Sequence, residues 1–127
     1  MLLAADAPEH APQLYHIVEQ LEKIADRYKY ICRIHENASS NPDPSVLTII
    51  EKTNMFLHQF EILFYDFSLG KITEFGKERK RIPEQMDKIN RQKQNKFDSS
   101  TLVHLAAINA IIFDLNGPLL TMKLPSS

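Results

Sequence analysis

The segment from Thr101 to Leu115 reads TLVHLAAINAIIFDL, and it constrains the fold more than any other part of the chain. In helical geometry its apolar side chains fall on every side, with only isolated polar interruptions. A helix that is apolar on every side needs burial on every side, against other helices or a second subunit. The segment therefore predicts a central helix that the rest of the chain, or a second copy, surrounds.

Two earlier segments have apolar residues at the 3-4 spacing of amphipathic helices. The first runs from Leu14 to His35, with a seam that is widened by Val18, Ala25 and Cys32. The second begins at Pro44 or Ser45 and continues to Ser68. The seam of the first helix is formed by Leu14, Ile17, Leu21, Ile24, Tyr28 and Ile31, and that of the second by Val46, Ile49, Ile50, Thr53, Phe56, Leu57, Phe60, Leu63, Phe64 and Phe67.

Glycine and proline predict the boundaries of the next helix. We expect a break or kink near Gly70 and a helix boundary at Pro83, because both residues disfavour a helix interior. The segment PEQMDKINRQKQNK then predicts a polar surface helix, with only Met86 and Ile89 clearly apolar. Asp98 or Ser99 is expected to cap the start of the apolar helix.

These elements predict an all-α fold: an up-and-down bundle of about four main helices, complete in itself or completed by dimerisation. The first two helices form an antiparallel hairpin, and the apolar helix packs into its groove. Residues 1–127 are expected to form one domain, with an N-terminal extension at 1–10 and a C-terminal tail at 117–127. That length is typical of one domain with a single core.

Composition bounds the setting of the protein. The chain is 43% hydrophobic and 24% charged, with a formal net charge of −1, so its global charge selects no partner. The single Cys32 excludes an internal disulfide and fits a reducing compartment. No signal-peptide pattern and no apolar run of membrane-spanning length are evident, so a cytoplasmic location is expected.

Charge is unevenly distributed along the chain. Residues 71–96 contain nine Lys and Arg residues against four Asp and Glu residues, whereas residues 1–70 contain five against ten. One interpretation is a phosphate contact with nucleic acid or an anionic membrane. The other is a solvated helix whose charge is balanced by the acidic first helix. The basic patch comprises Lys77, Arg79, Lys80, Arg81, Lys88 and Arg91.

The stretch IIFDLNGPLL resembles the histidine box of sensor histidine kinases, since Asp114, Leu115, Pro118 and Leu119 follow the order of its residues. Phe113 stands in the place of the phosphorylated histidine. The resemblance therefore implies a degenerate phosphotransfer or histidine-kinase-like signalling bundle. The same stretch also fits a simple helix stop, in which Asn116 or Gly117 adopts a left-handed conformation and a proline follows.

Catalytic and metal-binding patterns are weak in this sequence. His58 and Glu61 have the reverse order of the Glu-x-x-His pairs of di-iron bundles, and the apolar seams contain no ladder of acidic residues. Cys32 has the spacing of an inert core thiol. We therefore expect a non-enzymatic protein with no metal and no cofactor.

Association with another protein, or with itself as a homodimer, is the leading functional prediction. The apolar helix exceeds what one small bundle readily covers, and Asn109 interrupts it as register-fixing polar residues do. The tail adds an apolar strip that either contacts a partner or closes the end of the bundle. An adaptor, a chaperone-like protein or an effector-type bundle fits this interpretation. The predicted partner-binding residues are Leu119, Leu120, Met122 and Leu124.

Overall fold

The computed structural model describes residues 8–39 and 41–124. It shows a helical bundle, and no strand occurs within those two ranges, which confirms the predicted all-α class. A single 3-10 turn, Pro8–His10, precedes the first helix. The helices are α1 (Ala11–Asn37), α2 (Pro44–Tyr65), α3 (Leu69–Asn90), α4 (Lys96–Asp114) and α5 (Asn116–Lys123).

Side-chain caps fix where three of the long helices begin. Asp43 accepts from the Ser45 N–H at the start of α2, and Ser68 accepts from the Lys71 N–H at the start of α3. Asn95 accepts from the Asp98 N–H and begins α4, so the prediction that Asp98 or Ser99 is the cap was wrong. Asp98 is buried instead, and its Oδ2 accepts from the backbone N–H of Asp43.

The helix α4 contacts all three other long helices. The helix α1 packs mainly on α4 and α5, and α2 packs on α3 and α4. A hydrogen bond of 2.7 Å from the Tyr28 hydroxyl to Asn54 Oδ1 links α1 to α2. The predicted central position of α4 is therefore correct, while α1 and α2 lie less closely together than a tight hairpin would require.

One side of α4 is not covered by the bundle. Leu105, Ile108 and Ile112 are fully buried, but Val103 is 64% exposed. Ala106 and Ala110 are exposed on the same side as Val103. The expectation of burial on every side was therefore only partly correct. The bundle can leave this strip of α4 uncovered because alanines occupy much of it and limit its apolar area.

The helix α3 continues through Gly70, Gly76 and Pro83, so the predicted boundary at Pro83 was wrong. The preceding helix ends at Tyr65, close to the break expected near Gly70. Burial outweighs the poor helix propensity, because one face of α3 packs against α2 and α4. Within the segment predicted as a polar surface helix, only Met86 and Ile89 are buried, as a surface helix requires. The buried residues of the whole face are Phe75, Ile82, Met86 and Ile89.

The predicted helix stop, with Asn116 or Gly117 in a left-handed conformation, is also wrong. Only Leu115 separates α4 from α5, and its backbone angles remain right-handed helical. No residue in the described part of the chain, Gly117 included, has a positive φ. Lys96–Lys123 therefore forms a nearly continuous rod of 28 residues.

That rod is long and apolar enough to cross a membrane, judged by length and composition alone. Sequence reading found no such span because it ended the helix at Asn116. A helix in the core of a bundle meets the same two criteria, and here the rod packs against α1, α2 and α3.

Candidate functional site

A groove of about 450 Å³ runs between α3 and α4. It is hereafter the α3–α4 groove. Its base is largely apolar, with the fully buried Phe56 of α2 beneath it. Its walls come from residues far apart in sequence, which the antiparallel packing of the two helices brings together. The walls include Arg79, Ile82, Pro83, Met86, Asp87, Ala106, Asn109, Ala110, Phe113 and Asp114.

Alanines make the α4 wall of the groove low. Ala106 and Ala110 are four residues apart and so lie one above the other on the helix surface. Both are exposed, and no large side chain from α3 covers them. Because interhelical distance depends on the side chains at the contact, two alanines allow a further helix to approach closely.

Asn109 lines the groove and is only 7% exposed. Its Nδ2 donates to Thr53 Oγ1 and to the Leu105 carbonyl, both at 2.8 Å. Its Oδ1 is buried and accepts no hydrogen bond from the described residues. A buried acceptor without a donor costs about 1–3 kcal/mol, which offsets part of what the two donated hydrogen bonds contribute.

Pro83 creates a second unusual acceptor in the same groove. Proline has no N–H, so the Arg79 carbonyl one turn earlier loses its usual helical donor. The Arg79 guanidinium lies 4.0 Å from the centroid of the Phe113 ring, in cation–π geometry. The stacked side chain links the two walls of the groove and brings its cationic group to the rim.

Carboxylates outnumber cations around the groove. Asp87 and Asp114 are exposed on opposite walls, and neither forms an ion pair with another described residue. Glu78 also lines the groove but is paired with Arg81 at 3.0 Å. Arg79 is the one cation among the lining residues, so the rim favours a ligand that carries positive charge.

The predicted partner-binding tail is split by the structure. Leu119 lies fully buried in the core, whereas Leu120 and Met122 are half-buried on the short helix α5. Leu124 is 46% exposed. The remainder of the predicted tail, 125–127, and most of the predicted N-terminal extension, 1–10, lie outside the described residues. Leu119 therefore belongs to the core, and an apolar contact strip can comprise only the other three residues.

The six residues of the basic patch are all exposed on α3 or directly after it, although not all are free. Lys77 pairs with Glu74 at 2.8 Å, Arg81 pairs with Glu78, and Arg79 stacks on Phe113. Lys80, Lys88 and Arg91 form no ion pair within the described residues. Phosphate binding by this segment stays a prediction.

Cys32 is exposed, which corrects the prediction of a core thiol. Val18 and Ala25 are exposed beside it, so the supposed widening of the first seam faces solvent. His58 lies 3.7 Å from Glu61 on the surface of α2. In residues 8–39 and 41–124, no group of three His, Cys, Asp or Glu side chains is arranged to hold a metal ion.

His104 lies between α1 and α4, where Arg27 Nη1 approaches its Nδ1 to 3.1 Å. A guanidinium can only donate, so Nδ1 accepts and the imidazole is neutral. Burial lowers the pKa of His104 below its usual value of 6.5, and the positive charge of Arg27 lowers that pKa further.

The lowered pKa of His104 predicts a pH-dependent stability. As pH falls, His104 binds a proton in the unfolded chain at a higher pH than it does in the folded chain. The stabilisation from the neutral imidazole is therefore complete above about pH 6.5 and is lost as pH falls through the folded-state pKa. Urea unfolding between about pH 7.5 and 5.5 should show a declining free energy of unfolding. His104→Gln should flatten part of that decline. Equal slopes in the two proteins would contradict this assignment.

Sequence reading missed the α3–α4 groove. Ala106 and Ala110 were visible as small residues at i and i+4, but they were counted as part of a fully buried helix. Pro83 was expected to be a helix boundary, so the residues before and after it were not assigned to one face of a single helix. Comparison of the chain with protein families, with curated proteins and with solved structures gave no match.

Proposed function

We propose that the protein is a non-enzymatic interaction module that binds an amphipathic helix of a partner protein in the α3–α4 groove. The observation that carries the proposal is that two departures from good helical packing meet in one open apolar groove. These are the buried Asn109 Oδ1 without a donor and the mid-helix Pro83. Natural proteins tend to keep such costs where function requires them.

The shape of the groove supports a helix as the ligand. A partner helix can lay its apolar face on Ile82, Met86 and the exposed alanines of α4. Binding of this kind uses anchors at i, i+3, i+4 and i+7 and needs little rearrangement of the groove. A donor-bearing side chain at the centre of the partner helix could reach toward Asn109, with a small movement of that amide.

The charge of the rim supports a basic partner helix. Asp87 and Asp114 stand on opposite walls, so Lys or Arg residues on both flanks of the bound helix would face them. Complementary charge of this kind raises the association rate and selects the partner. Apart from Arg79, the residues of the basic patch do not line the groove, so they contribute little to this contact.

The test uses a synthetic helical peptide with leucine at i, i+3, i+4 and i+7 and lysine on its flanks. We expect the full chain to bind this peptide more tightly than the same peptide with glutamate in place of lysine, measured by fluorescence anisotropy. Ala110→Glu places a carboxylate side chain in the groove and should weaken binding at least tenfold, because it buries a charge against leucine.

Ser100→Glu is the matched control, since Ser100 is exposed on the same helix, ten residues before Ala110, and does not line the groove. It should leave peptide binding unchanged. Equal weakening by both variants, or no preference for the lysine peptide, would overturn the proposal. If the free protein is a dimer that Ala110→Glu converts to a monomer, the groove is occupied by a second copy and not by a partner.

A further inference from the structure

A second cleft, of about 370 Å³, lies where the C-terminal half of α1 meets the start of α4. It is hereafter the α1–α4 cleft. It is separate from the α3–α4 groove and shares no lining residue with it. Its lining includes Tyr30, Arg33, Asn37, Lys96, Phe97 and His104.

Positive charge converges on the α1–α4 cleft from two helices. Arg33 and Lys96 line it, and Arg27 lies behind His104. None of the three forms an ion pair with a carboxylate among the residues that the structure describes. Cations without a carboxylate partner at one small site can donate hydrogen bonds to an anionic group. The planar guanidinium of arginine matches the geometry of phosphate oxygens best.

Aromatic rings line the same cleft. The rings of Tyr30 and His104 are stacked, with centroids 5.5 Å apart and planes inclined by 24°. Arg33 lies 5.8 Å from the Tyr30 ring centroid, and Lys96 lies 5.2 Å from that of Phe97. Tyr30 is about half exposed, so part of its ring is accessible to a planar ligand.

We propose that the α1–α4 cleft binds a nucleotide. The phosphate lies between Arg33 and Lys96, and the base stacks on the exposed ring of Tyr30 or on Phe97. Stacking of a base on an aromatic side chain together with contacts from cations to phosphate is the usual combination for this ligand class. The amide of Asn37, which also lines the cleft, supplies a further donor and acceptor.

The nucleotide can be free or part of a single strand, and one set of titrations separates these sources. Full-length ¹⁵N-labelled protein is titrated at low ionic strength with adenosine monophosphate, adenosine, inorganic phosphate and a short single-stranded oligonucleotide. The monophosphate should bind more tightly than adenosine or phosphate alone, with shifts concentrated at the lining residues. An oligonucleotide that binds more tightly still would identify the strand as the source.

Arg33→Gln and Lys96→Gln should each weaken binding of adenosine monophosphate about tenfold, the loss typical of a charge-assisted hydrogen bond. Lys80→Gln, on the exposed surface of α3, is the matched control and should change nothing. A monophosphate that binds no better than inorganic phosphate would overturn the proposal. Equal weakening by the Lys80 variant would overturn it too, because binding would then reflect general charge.

Discussion

Replacement of Leu119 with alanine should lower the free energy of unfolding by about 2–5 kcal/mol, the range found for buried leucines. Leu119 is 0% exposed and lies in the core, on the short helix α5 that packs against α1 and α4. The substitution removes apolar contacts and leaves a cavity in the packed core. Urea unfolding followed by circular dichroism measures the change directly.

Leu124→Ala is the matched control for this prediction. Leu124 comes directly after α5 and is nearly half exposed, so its truncation should change stability by no more than about 0.5 kcal/mol. Equal effects at the two positions would mean that the chain beyond Leu115 does not pack as described. A variant with aspartate at both Leu119 and Leu120 would test folding, because it buries a charge in the core.

Replacement of Pro83 with alanine should raise the free energy of unfolding by about 2 kcal/mol. A proline in a helix interior costs about 3 kcal/mol, since it removes one hydrogen bond and crowds the preceding turn. Alanine restores a donor to the Arg79 carbonyl. Part of the gain is offset because the unfolded chain becomes more flexible, by about 0.4–1 kcal/mol.

Gly76→Ala separates this effect from simple helix propensity. Gly76 lies in the same helix, and a Cβ added there meets no atom within 4 Å. It should stabilise the protein by only about 0.5–1 kcal/mol. If Pro83→Ala instead destabilises the protein while Gly76→Ala stabilises it, the packing of α3 requires the proline, and Pro83 is not a destabilising residue.

Much of the fold could be predicted from the sequence because apolar residues at helical spacing recur in long runs. Leu14, Ile17, Ile24 and Ile31 are buried as the 3-4 pattern of the first helix requires. The predictions that failed depended on single residues. Local propensity at Pro83 or Gly117 favours a break by a few kcal/mol at most, and tertiary packing of the whole helix outweighs it.

The two candidate sites were beyond sequence reasoning for a different reason. Both are formed by side chains from two different helices, as the contacts of Arg79 with Phe113 and of Tyr30 with His104 show. Nothing in the sequence fixes which faces of two helices will meet. The exposure of Ala110 also depended on how far α3 covers α4, and helical periodicity does not determine that.

If the protein binds a basic amphipathic helix as proposed, the α3–α4 groove is open in the free protein and is covered in the complex. The direct test is alkylation of Ala110→Cys in a chain whose exposed Cys32 is replaced with serine. We predict rapid alkylation of the free protein, and strong slowing when the lysine-flanked peptide is added but not when the glutamate-flanked peptide is. Slow alkylation without peptide, or a rate that the lysine peptide leaves unchanged, would contradict the claim.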